Sequence, residues 1–196
     1  MERKKWTSSW ATPEINESVK MDINHAELIK GLVMASKPTN ILEMGVGGAR
    51  SMDSVIDAIE YNQNNPIYTV VDNWCDFAGS IPQEFLEIYG PYITNLISSV
   101  EREFVFSTKD TYDFIISDAD HHHTNEWFEY VYNNLLQNGG ILIYHDINLF
   151  PEKRDSFPNL AEIYHKCNEL NINYKLFNKS TLPNERCHRG LMVIFK

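Results

Sequence analysis

The stretch "ILEMGVGGARS" (Ile41–Ser51) decides how this chain reads. With Asn40 in front, its first half is a short apolar run suited to a buried strand. Gly45, Gly47 and Gly48 follow at once, and glycines allow a tight turn and close backbone approach. A helical pattern then runs over about Ser51–Asn62, until "NNP" (Asn64–Pro66) breaks it. Strand, glycine turn and helix in that order turn the free N–H groups of a helix start toward whatever the turn cradles.

Outward from that turn, strands and helices alternate. Asp22 is placed to cap a helix whose apolar face carries Ala26, Ile29 and Val33, and Pro38 ends it. "IYTVVD" (Ile67–Asp72) is rich in β-formers and ends in an acid. Pro82–Ser99 reads as helical, and "EFVFS" (Glu103–Ser107) and "YDFIISD" (Tyr112–Asp118) as two strands close together. A helix over about Asn125–Leu136 stops at "QNGG" (Gln137–Gly140), and "ILIYHD" (Ile141–Asp146) is another apolar strand. After a last helix, about Phe157–Leu170, "INYKLF" (Ile172–Phe177) and "GLMVIF" (Gly190–Phe195) form a terminal hairpin. Strands that are apolar throughout belong to a sheet covered on both faces. The expected fold class is therefore α/β: a doubly wound, mostly parallel seven-stranded sheet with an antiparallel terminal hairpin. Residues 1–21 are polar with scattered aromatics, Trp6 and Trp10, and read as an arm or lid; residues 22–196 form a single domain.

Such a sheet binds ligands outside the carboxyl ends of its strands. Glu43, Asp72, Asp118 and Asp146 all stand at those ends. A dinucleotide fingerprint, G-x-G-x-x-G, would take Gly45 and Gly47 but finds Arg50 in its sixth place, and the GKS or GKT of a phosphate loop is absent. The turn resembles instead the first motif of class I S-adenosylmethionine-dependent methyltransferases. That resemblance implies a Rossmann-like methyltransferase fold, with Gly45 and Gly47 under the methionine part of the cofactor. It implies further that Asp72 holds the ribose hydroxyls. The cofactor-binding candidates are Glu43, Gly45, Gly47, Asp72, Asn73, Trp74 and Asp118. Most such enzymes insert a helix between the third and fourth strands. With strands at Glu103–Ser107 and Tyr112–Asp118, that helix is missing here, and Asn73 and Trp74, or Ser107 and Thr108, are left to hold the adenine.

"SDADHHHT" (Ser117–Thr124) crowds two carboxylates and three imidazoles into one strand end. By itself it could bind a metal, abstract a proton or be a solvated loop. The neighbouring strand ends in "YHDIN" (Tyr144–Asn148), so two parallel strands deliver Asp118 and His145–Asp146 to one rim. Carboxylates suit Mg²⁺, and imidazoles admit Mn²⁺. The whole run Ile115–Asn148 resembles the metal-dependent sugar O-methyltransferases of the macrocin and mycinamicin type and their methyltransferase-24 relatives. The resemblance implies a divalent cation held by Asp118, His145 and Asp146, with Asp120 or His121 as general base. His145 is alternatively an orienting neighbour of Asp146. The chemistry suits a hydroxyl acceptor, which needs a base and a cation to become nucleophilic, whereas the sulfonium methyl arrives activated.

The formal net charge of −10 argues against a nucleic-acid partner. No apolar run approaches the roughly 18 residues of a membrane span. Three cysteines without CxxC spacing, and a basic N-terminus with no apolar segment after it, suit the cytoplasm. Lys153, Arg154, Arg186 and Arg189 lie in loops that could meet an anionic acceptor. The competing readings are a nicotinamide-dependent oxidoreductase and a non-catalytic ligand-binding domain. A homodimer through the arm or a sheet edge is compatible with each.

Overall fold

The computed structural model describes residues 3–6, 21–147, 158–177 and 190–196. The rest of the arm, the rim loop 148–157 and the hairpin loop 178–189 lie outside the described residues. With them lie the expected lid and the four loop cations.

The order of elements is α1 (Ile23–Ser36), β1 (Asn40–Met44), α2 (Arg50–Asn62), β2 (Ile67–Asp72), α3 (Gln83–Tyr89), β3 (Asn95–Ser98), α4 (Glu101–Ser107), β4 (Tyr112–Ser117), α5 (Thr124–Tyr130), β5 (Leu136–His145), α6 (Pro158–Glu169), β6 (Asn173–Phe177) and β7 (Leu191–Phe195). A π-helical turn, Val131–Leu135, links α5 to β5. The seven strands form one sheet in the order β3-β2-β1-β4-β5-β7-β6. β1 to β5 run parallel, and β7 lies antiparallel between β5 and β6. The expected fold class holds.

The central strands are apolar on both faces because both are covered. Ile41, Val70, Ile116 and Ile143 meet Ile29, Val33, Val55, Ile56 and Phe85 from α1, α2 and α3. Leu42, Val71, Ile115 and Leu142 face Phe104, Phe128 and Ile163 from α4, α5 and α6.

Three expectations fail for identifiable reasons. "EFVFS" is not a strand: it belongs to α4, so the helix between β3 and β4 is present. Phe104 and Val105 are buried and Phe106 is exposed, and Phe104 N–H donates to Val100 O and Thr108 N–H to Phe104 O, the i to i−4 bonding of a helix. The true third strand, Asn95–Ser98, lies at the sheet edge, half-buried, and so lacks an apolar signature. Trp6 does not stand off in an arm: it is buried, its ring centroid 5.1 Å from that of Phe77 and 5.4 Å from that of Phe85. Arg3 beside it reaches Asp53 and Asp57, each at 2.7 Å. Trp74 is no exposed platform either; it is fully buried, ring against Phe85 at 5.0 Å.

Candidate active site

The glycine turn is held by its neighbours' backbones. Gly45 N–H donates to Val71 O at 2.9 Å, and Asp118 N–H to Met44 O at 2.8 Å. Gly45 has φ +89°, and a Cβ there would stand 2.4 Å from Asp118 O, so only glycine fits between the ends of β1 and β4. Gly47 has φ +46° and open space before it.

Asp72 ties this turn to β2. One carboxylate oxygen accepts from Val46 N–H at 2.7 Å and the other from Trp74 N–H at 2.6 Å. Asn73, exposed beside it, accepts from Cys75 N–H at 2.9 Å. Glu43 lies fully buried beneath the turn, where Ser51 Oγ donates at 2.6 Å and the Tyr68 hydroxyl donates to its other oxygen. Burial pushes its pKa up to about 7, against the pull of those two bonds. Glu43 thus pins β1 to α2 and β2 from below and does not reach the open side of the turn. Arg50, which spoils the dinucleotide fingerprint, donates to Met21 O at 2.7 Å and anchors the start of α1.

The second half of the rim follows from the register of β4 and β5. Ser117 pairs with Tyr144, so Asp118 and His145 come next, side by side. His145 Nδ1 lies 3.2 Å from Asp118 Oδ1 and 3.4 Å from Asp146 Oδ1. His121 Nε2 lies 3.3 Å from Asp118 Oδ1 and 3.1 Å from Asp146 Oδ2. Asp146 is held with φ +59°, unusual for a non-glycine residue and common at functional sites. The side chain of His145 is fully enclosed, that of Asp146 5% exposed and that of Asp118 20%, whereas His121 at 28% opens most to the rim.

Two carboxylates and two imidazoles therefore neutralise each other. Burial works against protonating either histidine, but Asp118 and Asp146 outweigh it and lift both His121 and His145 to about 10. Burial likewise opposes ionising Asp118 and Asp146, yet His145 and His121 hold both below the ordinary carboxylate range. Imidazolium thus offsets the repulsion of this acid pair. Asp118, His145 and Asp146 can nonetheless each turn one ligand atom to a common point, within 4.8 Å of one another.

Asp120 does not join the group. Its carboxylate accepts from His122 N–H at 2.8 Å and His123 N–H at 3.0 Å, the local bonding of an Asx turn that starts α5. Of the two base candidates, only His121 reaches the cluster.

Sequence reading missed Glu101 and His25. Glu101, buried at the start of α4, accepts from Ser117 Oγ at 2.8 Å, Asp120 N–H at 3.0 Å and Trp127 Nε1–H at 3.2 Å. Burial raises its pKa. It fixes the strand end and the turn that carry Asp118 and His121. Its signal, an acid opening a helix, was lost when that helix read as a strand. His25, in the first turn of α1, lies against His145 with ring centroids 5.4 Å apart. Burial, and then His145, lowers its pKa to about 4. Asp22 and His25 share one helix face at i, i+3 spacing, but nothing local announces that β5 lies opposite.

No family model matches the sequence, and no curated protein matches it. Solved structures do match in fold. The O-methyltransferase TomG from Streptomyces achromogenes, in complex with SAM, is 12% identical over 90% of this chain and 81% of its own, with a TM-score of 0.69. The SAH-bound Podospora anserina methyltransferase PaMTH1 is 16% identical over 94% of this chain and 82% of its own, with a TM-score of 0.70. The O-methyltransferase from Bacillus cereus in complex with SAH is 12% identical over 93% and 88%, with a TM-score of 0.65. The fold is the Rossmann-like methyltransferase fold. Within it the chain has the mostly parallel seven-stranded sheet with an antiparallel C-terminal pair.

Proposed function

We propose that this chain is an S-adenosylmethionine-dependent O-methyltransferase acting on a hydroxyl of a small, sugar-like or natural-product acceptor, with a divalent cation assisting. The observation that carries the proposal is the adjacency at one rim of an open glycine turn with its strand-end acid and a cluster of two carboxylates and two imidazoles. TomG, of the same fold, is an O-methyltransferase in complex with SAM, which supports the cofactor class.

The residues fit the cofactor. Gly47 leaves room for it, and the Asp72 carboxylate, oriented by two backbone N–H groups, would accept from the ribose hydroxyls. Asn73 is the exposed polar neighbour. Bound there, S-adenosylmethionine supplies an activated methyl group. The residues also fit a cation: Asp118 and Asp146 would hold it, with His145 as a third ligand or as their orienting neighbour, and it would stabilise an acceptor alkoxide. His121, at the open side, is placed to handle the acceptor proton. Its own proton is held by Asp118 and Asp146, so whatever draws those carboxylates away returns its pKa toward the ordinary histidine value and frees it as a base.

One observation favours a second reading, methyl transfer without a cation. The cluster is charge-balanced by its own histidines. No helix among the described residues is long and apolar enough to cross a membrane. The present α4 withdraws the chief support for a non-catalytic, shortened domain.

The test is calorimetric first. S-adenosylhomocysteine should raise the melting temperature and NAD should not; the reverse result ends the cofactor assignment. Turnover of a hydroxyl-acceptor panel in EDTA, then with Mg²⁺ or Mn²⁺ restored, decides between the two readings. Loss and recovery supports the cation, and undiminished transfer supports the reading without one.

A further inference from the structure

Two buried imidazole nitrogens take no part in the chemistry above. His25 Nδ1 and His145 Nε2 are both enclosed and find no hydrogen-bond partner among the described residues. The two rings stand nearly perpendicular, at 77°, with centroids 5.4 Å apart. Asp22, at the head of α1, does not cap its own helix with its side chain. Its Oδ2 lies 3.4 Å from His25 Nδ1, out of line for a hydrogen bond. One ligand atom each from Asp22, His25 and His145 can lie within 4.8 Å of the others.

We propose that Asp22, His25 and His145 form a binding site for a divalent transition metal of the zinc class, with His145 ligating through Nε2. A buried polar nitrogen without a partner is costly, and one shared cation would satisfy two such atoms together. Two imidazoles and a carboxylate are the donor set of zinc and its neighbours, whereas Mg²⁺ takes oxygens. The far side of His145 completes the pattern. Its Nδ1 faces Asp118 and Asp146, and metal-bound histidines almost always donate their other N–H to a carboxylate, which fixes tautomer and ring orientation. Three protein ligands leave a fourth position for water or an oxygen ligand. The Asp22 side chain, 21% exposed, gives that position a way to the surface. His145 would then sit between two sets of groups, bound to metal on one side and held by the acid pair on the other. The site stands apart from the methyl-transfer reading, because binding is measured without turnover.

The experiment uses the full chain, stripped with a chelator, and titrates Zn²⁺ in competition with a chromogenic chelator and Co²⁺ by visible absorption. One equivalent should bind, and excess Mg²⁺ should not displace it. His25→Ala and Asp22→Asn should weaken Zn²⁺ binding at least tenfold and change the Co²⁺ spectrum. Asp118→Asn, which removes only the carboxylate behind His145, should cost roughly 10–100-fold. Absence of Zn²⁺ binding by the wild type overturns the proposal. So does wild-type affinity in both His25→Ala and Asp22→Asn, which would leave any ion with Asp118 and Asp146 alone. If circular dichroism shows His25→Ala misfolded, Asp22→Asn decides by the same criterion.

Discussion

The two halves of the rim are built by opposite means. The glycine-turn half is nearly contiguous in sequence and is held by backbone: Gly45 N–H on Val71 O, and Val46 and Trp74 N–H on Asp72. The imidazole half gathers Asp118 and His121 from the end of β4, His145 and Asp146 from the end of β5, and His25 from α1, and is held by side-chain charge. The first half therefore exists once its local chain folds. The second exists only when three elements distant in sequence meet, and its protonation depends on all of them.

The sharpest way to break this contrast is at the one residue that both halves share. Gly45→Val would drive a Cβ to 2.4 Å from Asp118 O at a φ of +89°, so it should disrupt both halves together. We expect destabilisation of about 4 kcal/mol or more, on the scale of combined backbone strain and overpacking, measured by urea unfolding. Stability within about 1 kcal/mol of wild type would mean that the strand ends can separate.

A pH-dependent variant sharpens the first half. Glu43 has its folded pKa raised to about 7, against an ordinary 4.5. Its stabilising contribution is full below pH 4.5, where both states are protonated. It declines as pH rises, because the unfolded chain ionises first, and is lost once pH passes about 7. Glu43→Gln cannot ionise, so its stability relative to wild type should improve between pH 4.5 and 8, by up to about 3 kcal/mol. Thermal melts of both proteins across that range check this, and a pH-independent difference would show that Glu43 is already ionised in the fold.

The smallest effect belongs to Asp72. Asp72→Ala should weaken S-adenosylhomocysteine binding by about 1–3 kcal/mol in calorimetry, the scale of a lost charge-assisted hydrogen bond, while leaving Asp118 and its partners intact. Unchanged affinity would remove Asp72 from the cofactor site.

Legibility in the sequence followed the same division. β1, β2 and β4 were read almost to the residue because they are central strands, apolar on both faces, and sequence pattern reports burial. β3 was missed because an edge strand with half-buried residues carries no such pattern. α4 was mistaken for a strand because Phe104, Val105 and Phe106 form a short apolar, β-prone run between polar residues, which periodicity alone does not tell from a buried helix segment; its i to i−4 backbone bonds show the helix. Trp74, read as a loop aromatic, is core because α3 packs Phe85 against it.

Within the site, sequence by itself determined the glycine turn, the strand-end acids and the presence of histidines near them. All of these depend on short-range pattern and on the rule that parallel strands present their carboxyl ends together. Tertiary structure alone decided which of those groups meet. Asp120 and His121 are adjacent in sequence, yet the turn's N–H groups claim the first, and the second swings to Asp118 and Asp146. His25 has no local reason to matter until α1 lays it against His145. Charge and proton placement depend on distances of a few ångströms between separate elements, and a one-dimensional pattern does not contain those distances.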